Sequence, residues 1–288
     1  MHPATVSLIL VRYSEMGLKS PPVRQRFENI LLENMLCSLA ERGVEALVSS
    51  DYGRIYVRVD DDDGAVESIS RVFGVASLSP AVECRAVMEE IGELAAEMSR
   101  PLIGKGNSFA VRARREGVHH FTSMDLNREV GSYIWKANED KDVSVDLQEP
   151  DVEIFVEVRS SRAFVFHKVV QGPGGLPLGS QGKVVAFVSR RRDALAAWLM
   201  MKRGCRVAVV TEDPSLADDL RSWDPNLRLE NPSDLPYLMD RWGALGTVHG
   251  HLFGEMNLIK GTEPTLPAFF PLVGMDDEEL ERRLAAIQ

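Results

Sequence analysis

The stretch Gly172-Pro173-Gly174-Gly175-Leu176-Pro177-Leu178-Gly179 runs through Lys183 into Val184-Val185-Ala186-Phe187-Val188-Ser189-Arg190-Arg191-Arg192-Asp193. It reads as a glycine hinge, then a buried strand, then a loop that enters a helix at Asp193. In α/β domains such strand-to-helix loops hold phosphate, because glycines let backbone N–H groups close on the anion. This loop carries three arginines in place of glycines. A βα pattern follows the hinge, as expected of a parallel sheet. The frame of a nucleotide site is therefore present without its usual chemistry.

Working outward, Thr5–Arg12 alternates apolar and polar residues and reads as a first strand. Pro22–Arg42 carries Phe27, Ile30, Leu31, Met35 and Leu39 at helical spacing, and Gly43 ends it. Residues 46–50 and 54–59 read as strands and 64–73 as a second helix, the order of a small ferredoxin-like α/β unit. A new unit opens near Ser79-Pro80. In it, residues 87–98 are expected to be helical and 108–113 a strand. Ser123 is the expected N-cap of a helix reaching about Ala137. Residues 152–158 and 163–169 follow as strands joined by Arg159-Ser160-Ser161-Arg162. The expected division is 1–78, 79–171 and 172–288.

With 288 residues and 44% apolar content, the chain can bury two or three small cores. No window approaches the roughly 18 consecutive apolar residues that a membrane helix needs. The start Met1-His2-Pro3-Ala4-Thr5 lacks the basic and apolar regions of a signal peptide. Cys37, Cys84 and Cys205 are the three cysteines and form no CxxC pair, which points to a reducing compartment with neither a zinc site nor a disulfide framework. The expected location is the cytoplasm. A net charge of −10 would repel a polyanion, so any nucleic acid must bind locally. Residues 100–136 carry seven basic side chains against three acidic ones, whereas from Cys205 onward seven basic residues face fifteen acidic ones.

The hinge and loop resemble the tRNA 4-thiouridine sulfurtransferase family, whose members also supply sulfur for thiamine synthesis. That family runs Gly-x-Gly-Gly-Leu-Pro into a strand and a Ser-Gly-Gly-x-Asp-Ser pyrophosphate loop. Here Ser189 and Asp193 match, Arg190 and Arg191 stand at the two glycines, Arg192 lies between, and Ala194 replaces the last serine. Leu199-Met200-Met201-Lys202-Arg203-Gly204 is similar to the family's helix and its glycine stop. Arg12-Tyr13-Ser14-Glu15-Met16-Gly17-Leu18-Lys19, Arg26-Phe27, Gly53-Arg54-Ile55-Tyr56-Val57 and Val72-Phe73-Gly74-Val75 continue the resemblance. Phe109-Ala110-Val111-Arg112-Ala113-Arg114-Arg115 and Phe121-Thr122-Ser123-Met124-Asp125-Leu126-Asn127-Arg128-Glu129 look like a THUMP module, an RNA-binding domain. Leu266-Pro267 and Pro271-Leu272-Val273-Gly274-Met275-Asp276 resemble a late segment of the pyrophosphate-loop domain. The resemblance implies α/β and α+β architecture: a ferredoxin-like N-terminal domain, a THUMP domain, and a shortened Rossmann-like pyrophosphate-loop domain.

Alternation sets Arg112 and Arg114 opposite Phe109, Val111 and Ala113. With Lys105, Arg115 and Arg128 they are the candidate RNA contacts, against the plain alternative of a solvated charged face. His119 and His120 lie in the loop before the helix. In the family ATP adenylates the uridine oxygen before sulfur displaces AMP. The loop Ser189, Arg190, Arg191, Arg192 and Asp193, with Gly250 and Gly254, is the degenerate ATP site the resemblance implies, taking ATP and Mg if it works. Long side chains at the glycine positions obstruct that placement, yet arginine also binds phosphate well. A Walker loop is absent, because Pro177 and Val184 occupy required Gly and Ser/Thr positions. His249-Gly250-His251 and Glu255 stand where the family reads Thr-Gly-Glu-x-x-Gly-Gln. A metal triad here lacks a clear third ligand at fixed spacing, so the expected role is a loop closing the sheet's C-terminal edge, with no metal.

A sulfur relay needs an activated thiolate, whereas Cys37, Cys84 and Cys205 all read as small core residues. No rhodanese-like domain is expected, and the region between Val210 and Leu245 is shorter than in the family. The expected function is tRNA binding with ATP-dependent catalysis weakened or lost. One alternative is an active tRNA uridine sulfurtransferase using the altered loop and an external sulfur donor. Another is a metabolic nucleotide-binding protein without RNA. Expected partners are tRNA, a sulfur donor or catalytic protein, and, by resemblance, a second copy of the chain.

Overall fold

The structure, a computed structural model, describes residues 7–13, 16, 19–51, 53–60, 62–240, 242–255 and 267–287. Thr5 and Val6 of the expected first strand, Ser14, Glu15, Gly17 and Leu18 of the opening motif, and Leu266 lie outside the described residues.

The chain begins β1 (Ser7–Tyr13), α1 (Pro21–Glu41), β2 (Ala46–Asp51), β3 (Arg54–Val59), α2 (Asp62–Ile69), β4 (Val75–Arg85), the expected ferredoxin-like order. Next come α3 (Met88–Leu102), β5 (Ser108–Glu116), α4 (Ser123–Ala137), β6 (Ser144–Val145), β7 (Val152–Arg159), β8 (Arg162–Phe166) and β9 (Val170–Gln171). The remainder is β10 (Lys183–Phe187), α5 (Arg191–Lys202), β11 (Arg206–Val210), α6 (Asp218–Arg221), β12 (Arg228–Glu230), α7 (Leu235–Asp240), β13 (Thr247–Val248), β14 (Ala268–Phe269) and α8 (Asp277–Ala286). No helix among the described residues is long and apolar enough to cross a membrane.

These elements fold into two compact units, and β1, β3 and β4 contribute residues to both. The first unit holds residues 1–10, 56–62 and 79–170. Its strands run β3-β1-β4-β8-β7-β5-β6. β5 pairs parallel with β7, which turns back antiparallel into β8. Phe109 and Val111 of β5, Ile154, Val156 and Val158 of β7, and Ile91, Ala95, Leu126, Val130 and Ile134 of α3 and α4 form one buried cluster. The opposite sheet face buries Leu8, Leu10, Tyr56, Phe164 and Phe166. This two-sided burial follows from the period-2 alternation of the strands.

The second unit holds residues 11–55, 63–78 and 171–288. α1 buries Phe27, Leu31, Met35 and Leu39, one stripe at four-residue spacing. The downstream sheet runs β12-β11-β10-β13-β14, with every neighbouring pair parallel. Val184, Ala186, Val207 and Val209 face α5 and α8, where Leu195, Trp198, Leu280 and Leu284 complete the core. Val185, Ala208 and Val210 face the other way, against Leu238 and Ala244. The hinge needs glycine at 175: its φ is +74°, and a β-carbon there would lie 2.2 Å from the carbonyl oxygen of Lys202 at the end of α5.

Three local expectations are corrected. α4 is capped by Thr122 rather than Ser123: the Thr122 hydroxyl accepts from the Asp125 N–H at 3.1 Å, and the Asp125 carboxylate accepts from the Thr122 N–H at 2.9 Å. That reciprocal pair satisfies two otherwise open donors, which a cap at Ser123 would leave unpaired. α2 stops at Ile69 instead of reaching Phe73, because Arg71 and Val72 turn back onto Ser68 and Ile69. α5 begins at Arg191, two residues before Asp193.

Candidate functional site

After β10 the chain passes through α5 to β11 and β12 on one side, then returns to place β13 and β14 on the other. The order reverses between β10 and β13. In parallel sheets ligands occupy the crevice beyond the carboxyl ends of the strands at such a switch point. Two segments stand there: Val188–Arg192 leading into α5, and His249–Glu255 following β13.

Asp193 is 4% exposed at the third position of α5, where it closes the loop on itself. Its Oδ2 accepts from the Ser189 N–H (3.1 Å), the Ser189 hydroxyl (3.1 Å) and the Arg190 N–H (3.0 Å). The backbone donors of the loop's first two residues are thus taken by the chain's own carboxylate. The first turn of a helix concentrates positive potential, and Arg190, Arg191 and Arg192 add three guanidinium groups to it. Arg192 Nη2 lies 2.5 Å from both oxygens of Glu255. Arg190 Nη1 lies 3.6 Å from Glu255 Oε1, and its Nη2 lies 3.4 Å from Asp193 Oδ1. The Leu252 N–H donates to Glu255 at 2.9 Å. The Arg192 hydrogen bond first, then the Leu252 N–H and both guanidinium charges, hold the Glu255 carboxyl down at about 2. Arg191 is exposed.

Among the described residues no group of three or more His, Cys, Asp and Glu side chains is placed to hold a metal, and Glu255 is committed to arginine. His249 stacks with both Phe187 and Phe270 at centroid distances of 5.3 and 5.4 Å, with its Nε2 3.0 Å from the Thr247 hydroxyl. Burial, then the neighbouring His251, lowers its pKa from the usual value, against an opposing pull from Asp193. A β-carbon on Gly250 would stand 2.2 Å from Asp193 Oδ1, so only glycine lets this segment pack on α5. Gly254 faces open space.

The candidate RNA contacts all belong to the first unit but are not equally available. Lys105 and Arg114 are exposed. Arg112 is paired with Glu153 at 2.7 Å and donates to the Leu147 carbonyl at 2.9 Å. Arg115 donates to the Gly117 carbonyl at 2.9 Å. Arg128 sits between Asp125 and Glu129 at 3.4 and 3.3 Å, in a highly exposed position. His119 lies 2.7 Å from the Ser160 carbonyl, and His120 is exposed.

Sequence reasoning missed a second charged cluster in this unit. Glu83 receives Arg162 at 2.5 Å and Arg58 at 2.7 Å, and the Arg162 guanidinium lies over the Tyr56 and Phe164 rings at 4.5 and 4.9 Å. These residues come from β3, β4 and β8, and only strand register places them side by side. Of the cysteines, Cys205 is buried with its thiol pushed up by burial, and burial with nearby Glu90 and Glu83 lifts Cys84 to about 11. Cys37 is half-buried and accepts from the Asn226 amide at 3.0 Å.

Comparison with known proteins gives this arrangement its relatives. The ThiI ferredoxin-like domain family matches residues 8–79 and the THUMP domain family matches residues 85–168. A probable tRNA sulfurtransferase of Methanosarcina acetivorans is 42% identical over 269 residues, covering 91% of this chain and 61% of the relative. One of Methanobrevibacter smithii is 42% identical over 206 residues, covering 69% and 52%. The chain thus spans between half and about two thirds of the length of the curated relatives it matches. The crystal structure of PH1313 from Pyrococcus horikoshii superposes with a TM-score of 0.85 at 29% identity, covering 98% of this chain and 99% of that one. A 4-thiouridine synthetase solved in complex with RNA and with bound ATP has a TM-score of 0.77 at 23% identity, covering 98% and 85%, and shares the fold. With both domain families in order ahead of the parallel α/β sheet, the chain belongs to the ThiI-like tRNA sulfurtransferase family of THUMP-domain proteins.

Proposed function

We propose that this protein binds tRNA through its THUMP region and carries a loop at the β10–β13 switch point whose ATP-dependent chemistry is weakened or lost. The division into 1–78, 79–171 and 172–288 belongs to this reading, with tRNA on the middle part. The observation that carries it is the Arg190–Arg192–Glu255 cluster with Asp193 beneath it. Nucleotide phosphates at a strand-to-helix loop need open backbone donors and glycine-scale clearance. Here long side chains stand at both glycine positions, and guanidinium groups locked to a carboxylate fill the clearance. The cysteine environments agree with this, since a thiol lifted to about 11 or held up by burial is a poor nucleophile near neutral pH.

If ATP and Mg bound here, Arg190 and Arg191 would hold phosphate oxygens by charge where the related loop uses backbone N–H groups. The exposed Arg191 favours this second reading, an active sulfurtransferase with a rebuilt loop and an external sulfur donor. Calorimetric titration of Mg-ATP into the protein, with and without tRNA transcript, separates the two. Retention of tRNA without ATP binding is the expected result. Micromolar ATP binding coupled to 4-thiouridine formation overturns it.

A further inference from the structure

We infer that Glu255 is an internal anion that closes the arginine loop against phosphate-bearing ligands, an autoinhibitory contact built into the fold. The inference rests on the reading above that nucleotide placement at this loop is weakened, and it names the residue responsible.

Glu255 is gripped from several sides at once: both oxygens by Arg192, one oxygen at longer range by Arg190, and the Leu252 N–H from behind. A carboxylate held by the guanidinium groups of Arg190 and Arg192 at the start of α5, and by the Leu252 N–H of the segment after β13, occupies an anion's place at this loop. The charges balance locally, with Arg190 and Arg192 set against Asp193 and Glu255. An arriving phosphate therefore meets little net attraction beyond Arg191. The contact is also delivered by a fastened segment. Gly250 packs against Asp193 with no room for a side chain, so the chain from His249 to Glu255 is anchored at one end on the helix it inhibits. Arg192 Nε is buried with no hydrogen-bond partner, so Glu255 leaves one donor of this guanidinium unpaired.

An ordinary structural ion pair would look similar but behave differently when the carboxylate is removed. Loss of a stabilising pair lowers stability and leaves anion affinity unchanged; loss of a competing anion raises affinity. The ligands that could replace Glu255 are polyphosphates, whose several charges compensate for displacing one carboxylate.

The test uses the full chain and inorganic tripolyphosphate, which carries the charge without a base, followed by Mg-ATP. Glu255→Gln, and independently Glu255→Ala, should bind tripolyphosphate at least tenfold more tightly than wild type. The double variant Arg192→Gln/Glu255→Gln should lose that gain. A folded Glu255→Gln or Glu255→Ala protein, verified by thermal melting, that binds no better than wild type overturns the inference. In that case absence of ATP binding by wild type would leave the weakened-site reading standing. Micromolar ATP binding by wild type would instead overturn that reading, while tighter binding by Glu255→Gln would still establish Glu255 as the competing anion.

Discussion

Gly250 sits so close to Asp193 that a β-carbon at position 250 would stand 2.2 Å from the carboxylate oxygen Oδ1 and 2.8 Å from the Asp193 α-carbon. The segment after β13 and the first turn of α5 are therefore fitted to each other at backbone range. Gly250→Ala must move one of them. Overpacking of this kind costs about 1–3 kcal/mol, and chemical denaturation should show a lower midpoint with unchanged slope. Gly254→Ala, which meets nothing within 4 Å, is the control and should change stability little.

Lowering the pH should dissolve the contribution of Glu255 in a definite window. Its folded pKa of about 2 lies below the unfolded carboxylate value near 4.3. The stabilisation is then fully present above the unfolded value and disappears as pH falls through the folded one. The difference in unfolding free energy between wild type and Glu255→Gln should be constant above about pH 5 and vanish near pH 2, with a plateau of about 0.5–1 kcal/mol for a partly exposed pair. A difference that instead grows toward low pH would contradict the assigned ion pair.

Binding of tRNA should respond to exposed charge and to released charge in opposite directions. Lys105→Gln and Arg114→Gln should each weaken binding and reduce the salt dependence by about one counterion. Glu153→Gln frees Arg112 from its 2.7 Å partner and should strengthen binding. Filter binding across a salt series measures both. Unchanged affinity in all three variants would favour a protein without an RNA partner.

Thr122→Ala removes the acceptor for the Asp125 N–H at the start of α4. A lost cap costs about 1 kcal/mol, whereas Ser123→Ala should cost little because Ser123 makes no cap bond. Urea melts of the two variants distinguish them.

Much of the fold was legible because it is local. The stripe Phe27, Leu31, Met35 and Leu39 announces α1, and the alternation in β5 sets Phe109 and Val111 against α3 and α4. The hinge followed by Val184–Val188 foretells the βα start of a parallel sheet, which the β10–β11 register bears out from Lys183 opposite Arg206 to Phe187 opposite Val210. The extent of α4 was also readable, but its N-cap falls one residue earlier than expected, since Ser and Thr at adjacent positions can both cap and the reciprocal Asp125 contact decides for Thr122. The candidate site was legible as residue types and not as partners. Neither the Arg192 partner of Glu255 nor the Glu153 partner of Arg112 was readable from the chain.

By itself the sequence determined the order of elements, the family, and the replacement of both loop glycines by arginine, because periodicity, turn residues and motif spacing are properties of neighbouring positions. Only the tertiary structure decided that Arg192 meets Glu255 across 63 residues and that Arg112 meets Glu153 across 41. Those meetings depend on sheet register and on how a returning strand is packed at a switch point. Opposite charges along a chain show that pairs can form, and only the folded register chooses which ones do.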